Sequence, residues 1–151
     1  MWTEILNWLL KLFSKPPAPL RPVIRKEVSF AYVFGILNGL FPDASHIYLS
    51  DNLYWLCSED DIKKFLEMDA TNKEKYKTEK FDCDDFAYRL MGQLSTPEWA
   101  GIAFGIVWSE KHAACCFIDD KGTFFFIEPQ SDELYKTLPD YMGKEILFIL
   151  M

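Results

Sequence analysis

The sequence predicts an α+β fold, with helices first and an antiparallel sheet after them. Three observations predict it. Before residue 95, apolar residues recur three and four apart in several segments. After residue 101 come four short runs rich in β-branched and aromatic residues, at 102–109, 112–118, 123–128 and 145–150. The second and third runs are separated by Asp119-Asp120-Lys121-Gly122, a hairpin signal. At 151 residues, 50% hydrophobic and 17% aromatic, the chain can bury one ring-rich core and is not a disordered sequence.

Residues 2–14 read as a helix. Glu4, Asn7, Lys11 and Ser14 mark a narrow polar stripe, and Trp2, Ile5, Leu6, Trp8, Leu9, Leu10, Leu12 and Phe13 make a wide apolar face. The prolines of "SKPPAPLRP" stop it. Residues 1–26 are therefore expected to be an amphipathic helix and proline-rich arm, and residues 27–151 the α+β domain. The apolar face at residues 2–13 suits docking on the chain's own core, contact with a partner or a second copy, or peripheral association with a membrane surface. The opening lacks a basic region before its apolar run, has no small-residue cleavage site after it, and is too short and interrupted to span a bilayer. The expected location is cytoplasmic.

Charge divides along the same line. The net charge is −7, but residues 1–26 carry Lys11, Lys15, Arg21, Arg25 and Lys26 against Glu4 alone, which leaves an acidic body. Such a body lacks the Lys and Arg clusters that phosphate contacts need, so nucleic acid is not an expected partner. Four cysteines, Cys57, Cys83, Cys115 and Cys116, have neither the spacing of a disulfide scaffold nor a CxxC pair, and a reducing setting is expected.

Residues 27–41 are nearly all apolar and read as a buried helix. "HIYLSD" reads as a short extended segment. "SEDDIKKFLEMD" reads as a helix capped by Ser58, with acidic residues in its first turn. A polar loop, "ATNKEKYKTEK", leads to a fourth helix capped by Asp82, whose buried face is Phe86, Ala87, Leu90, Met91 and Leu94.

Cys83 opens that fourth helix, where free N–H groups and the macrodipole favour a thiolate. Asp82, Asp84 and Asp85 oppose the thiolate, so a reactive Cys83 needs a cation beside it. Of the two histidines, His112 opens a strand downstream. A hairpin loop of Asp119 to Lys121 sets His112 opposite Glu128. A loop of Asp119 to Gly122 sets it opposite Pro129, with Glu128 on the other face unless a bulge intervenes. A Glu128–His112 hydrogen bond would fix the tautomer and support the charged ring. A thiol at a helix start, an imidazole at a strand start and an acid at the next strand's end follow the logic of nucleophile, base and orienting group. Cys116 lies on the same strand face as His112, and Cys115 reads as strand filler.

Those residues resemble the papain-like and transglutaminase-like cysteine hydrolases. The words "FDCDDFA", "KHAACCFI" and "FFFIEPQ" look most like the papain-like C-terminal domain of a mushroom galactose-binding agglutinin and its small bacterial and phage relatives. The resemblance covers roughly residues 46–130. It implies a papain-like core whose nucleophile helix precedes the sheet, with Cys83 as nucleophile, His112 as base and Glu128 as orienter. It implies a small cysteine hydrolase, a protease or an amidase/acyl transferase, acting on a peptide or amide through a thioester. The alternative is a catalytically degenerate binding or scaffold module on the same fold, with the N-terminal helix against a partner or membrane surface. No glutamine precedes Cys83, so its own backbone N–H and the Trp55 indole are the candidate oxyanion donors. No cofactor is required. Calcium is the candidate ion, at Asp84 and Asp85 with neighbouring carboxylates.

Overall fold

The computed structural model describes residues 20–151. The expected helix at residues 2–13 and most of the proline arm lie outside the described residues.

The first strand comes where a helix was expected. Lys26–Ser29 (β1) is extended and pairs antiparallel with Leu53–Leu56 (β3), Lys26 opposite Leu56 and Ser29 opposite Leu53. Only then does Phe30–Leu40 (α1) begin, with Ser29 Oγ accepting from the Tyr32 N–H. α1 buries Val33 and Leu37. His46–Tyr48 (β2) follows, then Glu59–Met68 (α2). Here the expected Ser58 cap forms as a reciprocal box: Ser58 Oγ accepts from the Asp61 N–H at 3.2 Å and Asp61 Oδ2 from the Ser58 N–H at 3.3 Å. Cys83–Leu94 (α3) precedes four strands, Phe104–Ser109 (β4), Ala113–Ile118 (β5), Phe124–Glu128 (β6) and Glu133–Tyr135 (β7), and Ile146–Leu150 (β8) closes the set.

The main sheet runs β2-β8-β4-β5-β6-β7. Its neighbours are antiparallel except β2 and β8, which are parallel. Every residue of β5 is buried, because both faces of the sheet are covered. Ala114, Cys116 and Ile118 join Val33 and Leu37 of α1 on one face. Ala113, Cys115 and Phe117 join Ala87, Leu90 and Leu94 of α3 and Ile62 and Leu66 of α2 on the other. That period-two alternation makes the sheet the middle layer. Packing holds α3 more than its cap does: Phe86, Leu90 and Leu94 are each at most 4% exposed. Burying such side chains contributes about 1.5–3 kcal/mol each, against about 1 kcal/mol for a cap.

The expected papain-like α+β core, with N-terminal helices followed by an antiparallel sheet, is corrected. Among the described residues eight strands interleave with three α-helices from the start, and one sheet pair is parallel. The physical reason lies in β1 and β3. "KEVS" runs straight into an apolar helix and hides its own extended state, and β3 is stabilised by pairing rather than by its own pattern. Neither expected hairpin register forms either. Asp119 Oδ1 accepts from the Lys121 and Thr123 N–H groups, and the Asp119 N–H bonds Thr123 O at 3.0 Å. Gly122 takes φ +81°, so the loop is Asp120, Lys121 and Gly122, and Ile118 faces Phe124. No helix among the described residues is long and apolar enough to cross a membrane.

Candidate functional site

Cys83 is the first residue of α3. The chain reaches it through a tight turn in which Lys77 and Phe81 exchange backbone hydrogen bonds, each 2.8 Å. Glu79, at φ +58°, donates its N–H to Asp82 Oδ2 at 3.1 Å. Asp85 reaches back, its Oδ2 accepting from the Asp82 N–H at 3.2 Å. The acidic residues that oppose a thiolate by charge are thus the ones that fix where the sulfur sits. Asp84 hydrogen-bonds Asp82, and that contact, with burial, raises the Asp84 carboxyl above its ordinary value.

His112 stands just before β5, at the end of a tight turn from β4. The Ser109 N–H donates to His112 O at 2.9 Å, and the His112 N–H donates to Ser109 Oγ at 3.1 Å. The shifted hairpin register places Glu128 two residues along from His112 on the same face, and the side chains meet with His112 Nε2 2.7 Å from Glu128 Oε2. The two side chains are 14% and 10% exposed. Glu128 Oε1 accepts from the Gln130 N–H at 3.1 Å, and the Tyr141 hydroxyl donates to Oε2 at 3.2 Å. Burial pushes the Glu128 carboxyl up, but these hydrogen bonds outweigh it and hold the group below the usual carboxylate value.

Cys83 and His112 line one cleft of about 390 Å³ with Asp84, Trp108, Ser109, Lys111, Ala113, Leu147 and Phe148. Trp108 packs on Phe148, ring centroids 5.3 Å apart, and edge-on against Tyr88 at 6.0 Å. The cleft therefore pairs an aromatic wall with a polar end. Chemically, it brings a thiol, an imidazole held by a carboxylate and a flat apolar surface to one opening.

Other expected residues are elsewhere. Trp55 lies on β3, and its indole N–H donates to Glu27 Oε2 at 3.2 Å, outside the Cys83 cleft. Asp85 is engaged in the helix cap and Arg89 pairs with Glu74 at 3.0 Å. Asp82, Cys83 and Asp84 bring their ligand atoms within 4.8 Å of one another. Calcium favours six or more oxygens, so two carboxylates and a sulfur are a partial set for it. Cys116 is fully buried beneath α1 rather than in the cleft. His46 stacks on Tyr48. Sequence reading missed Trp108 and Phe148, though an aromatic next to the His112 turn was a usable signal for Trp108. It also missed Tyr141, which no spacing connects to Glu128.

Comparison with known proteins gives the fold its family. A family model described as Ricin-type beta-trefoil lectin C-terminal domain matches residues 35–150. A search of the curated proteins finds no match. Among solved structures, one described as "PSL1a-E64 complex" is 24% identical over 83% of this chain and 50% of its own, with a TM-score of 0.72. Another, the Polyporus squamosus lectin bound to the human-type influenza-binding epitope Neu5Aca2-6Galb1-4GlcNAc, is 24% identical over 83% of this chain and 49% of its own, with a TM-score of 0.66. The chain spans about half the length of these two chains. These findings overturn the resemblance to papain-like and transglutaminase-like cysteine hydrolases. With it go the expected protease or amidase activity through a thioester, the scaffold variant of that fold, and the expected peptide or amide substrate. The chain belongs to the family of ricin-type β-trefoil lectin C-terminal domains.

Proposed function

We propose that this chain is a lectin-type ligand-binding module whose ligand occupies the cleft beside Cys83. The observation that carries the reading is the His112–Glu128 pair, 2.7 Å apart and largely buried, at the rim of the aromatic-walled cleft that also contains Cys83. A buried pair of this kind is a fixed polar anchor, and Trp108 with Phe148 supplies an apolar platform. A sugar ring offers the complementary shape, one apolar face and a hydroxylated edge. Carbohydrate is the ligand class supported by the Polyporus squamosus lectin, which is described as bound to a sialylated epitope.

Within the cleft, Cys83, His112 and Glu128 form one working group in this proposal. Cys83 supplies the reactive sulfur, His112 exchanges its proton, and Glu128 holds the ring. A divalent cation such as calcium would meet Asp84 and Asp82, with water or ligand supplying further oxygens; no step requires it. Four free cysteines support a reducing, cytoplasmic setting. Residues 27–151 serve as the binding domain, with residues 1–26 as its arm.

The test is a titration of Neu5Aca2-6Galb1-4GlcNAc into labelled protein, read at the Trp108 indole by NMR. The reading expects a saturating shift at that indole, which Phe148→Ala abolishes. No shift at millimolar sugar would remove carbohydrate as the ligand of this half of the lectin architecture. The thiol is tested separately with E64, the compound named with the other neighbour. An adduct at Cys83 that His112→Ala suppresses supports the working group; no adduct, or one indifferent to His112, opposes it.

A further inference from the structure

We propose that Tyr141 is a positioning residue for the His112–Glu128 pair, fixing the carboxylate with its hydroxyl and the imidazole with its ring. This inference rests on the reading of Cys83, His112 and Glu128 as one working group. The Tyr141 hydroxyl donates to Glu128 Oε2 at 3.2 Å, the same oxygen that His112 Nε2 meets at 2.7 Å. Its ring stands edge-on to the imidazole, with centroids 5.4 Å apart and planes at 82°. The Gln130 N–H holds Oε1. Without Tyr141, Oε2 keeps one donor, and the imidazole loses its lateral wall.

The backbone around Tyr141 is built to hold it there. Asp140–Met142 is a 3-10 turn anchored by Met142, which is 0% exposed. Gly143 ends the turn at φ +91°, and a Cβ there would lie 2.3 Å from Glu110 Oε1. That same Glu110 oxygen accepts from the Lys144 N–H at 2.8 Å, and the Glu110 N–H bonds Glu145 O at 3.2 Å. Glu110 lies in the turn that ends at His112. The segment bearing Tyr141 and the turn bearing His112 are thus tied together, so the tyrosine and the imidazole share one frame. Tyr135 provides an internal contrast. It packs on Tyr141 with centroids 6.3 Å apart, but its hydroxyl donates to Glu133.

The experiment compares wild type, Tyr141→Phe, Tyr135→Phe and His112→Ala by two readouts. One is the titration of Glu128 by NMR of carboxyl-labelled glutamate. The other is iodoacetamide alkylation at Cys83, located by peptide mass spectrometry. Loss of one donor is expected to raise the Glu128 midpoint in Tyr141→Phe by about half to one pH unit. It is also expected to slow Cys83 alkylation about three- to tenfold. Tyr135→Phe, whose hydroxyl donates to Glu133, moves each readout less than Tyr141→Phe does. An unshifted Glu128 midpoint in folded Tyr141→Phe overturns the inference and leaves the tyrosine a packing residue. If His112→Ala leaves Cys83 alkylation at the wild-type rate, the working-group reading fails instead, and the Glu128 midpoint still scores Tyr141.

Discussion

Glu128 and Asp132 lie four residues apart and respond to pH with opposite signs. Burial pushes both carboxyls up, but only Glu128 has donors enough to reverse the effect, chiefly the His112 ring and the Gln130 N–H. A carboxyl held low in the folded state lends stability that is present above its ordinary value of 4.5 and lost as pH falls through the folded value. Glu128→Gln is therefore expected to lower the melting temperature at pH 7 and to flatten its fall below about pH 4.5; an unchanged acid limb would show that the pair does not stabilise the fold. Asp132 goes the other way, raised to about 6 by burial and then by Asp69. Its folded value exceeds its unfolded value of 3.8, so ionising it costs stability as pH rises through that window. Asp132 also sits at φ +62° and accepts from Asn72 Nδ2. Asparagine tolerates that backbone and keeps an acceptor. Asp132→Asn should thus raise the melting temperature at pH 7.5 and leave it unchanged near pH 4, as calorimetry at the two values would show. At this scale the positions of Cys83 at a helix start, His112 just before a strand and Glu128 at a strand end were legible in the sequence, as was the contact of His112 with Glu128. Nothing in the sequence signals that Glu27, opposite Trp55 in the β1–β3 ribbon, takes the Trp55 indole N–H.

The start of α3 is the element on which the site depends. Asp85 bonds back to the Asp82 N–H, and Asp82 receives the Glu79 N–H, so the first turn is stapled from both sides. Asp85→Ala is expected to cost about 1 kcal/mol, the usual worth of such a cap. The loss should be local, with hydrogen exchange rising at residues 82–85 and Leu90 remaining protected. Uniform exchange along α3 would mean that packing alone sets the first turn. Helices α2 and α3 were readable from sequence because Ser58 and Asp82 announce their starts and the apolar spacing runs on behind them. The strands β1, β3 and β7 were not. Each is three or four residues long, and Glu27, Ser29, Glu133 and their neighbours carry no alternating pattern; partners distant in sequence make them extended. The β5–β6 hairpin was half readable: Gly122 marked the turn, but the Asp119 side chain, bonded to two backbone N–H groups, shifted the register by more than either counted loop allowed.

Across the molecule, β4 and β8 approach closely at Gly105. A Cβ there would stand 2.1 Å from Leu150 O, where β8 crosses β4. Gly105→Ala should force β4 and β8 apart and cost about 2–3 kcal/mol, visible as a lowered denaturation midpoint; wild-type stability would show that the sheet can open at this crossing. The same layering sorts the four thiols. Cys57, Cys115 and Cys116 are fully buried. Burial pushes the Cys57 thiol up to about 12 and the other two up as well. Cys83 remains half-buried at the cleft. The unmodified chain thus carries a natural attachment point for a fluorophore or spin label at the mouth of its own cleft, and occupancy could be followed as a change in emission without engineering a single cysteine.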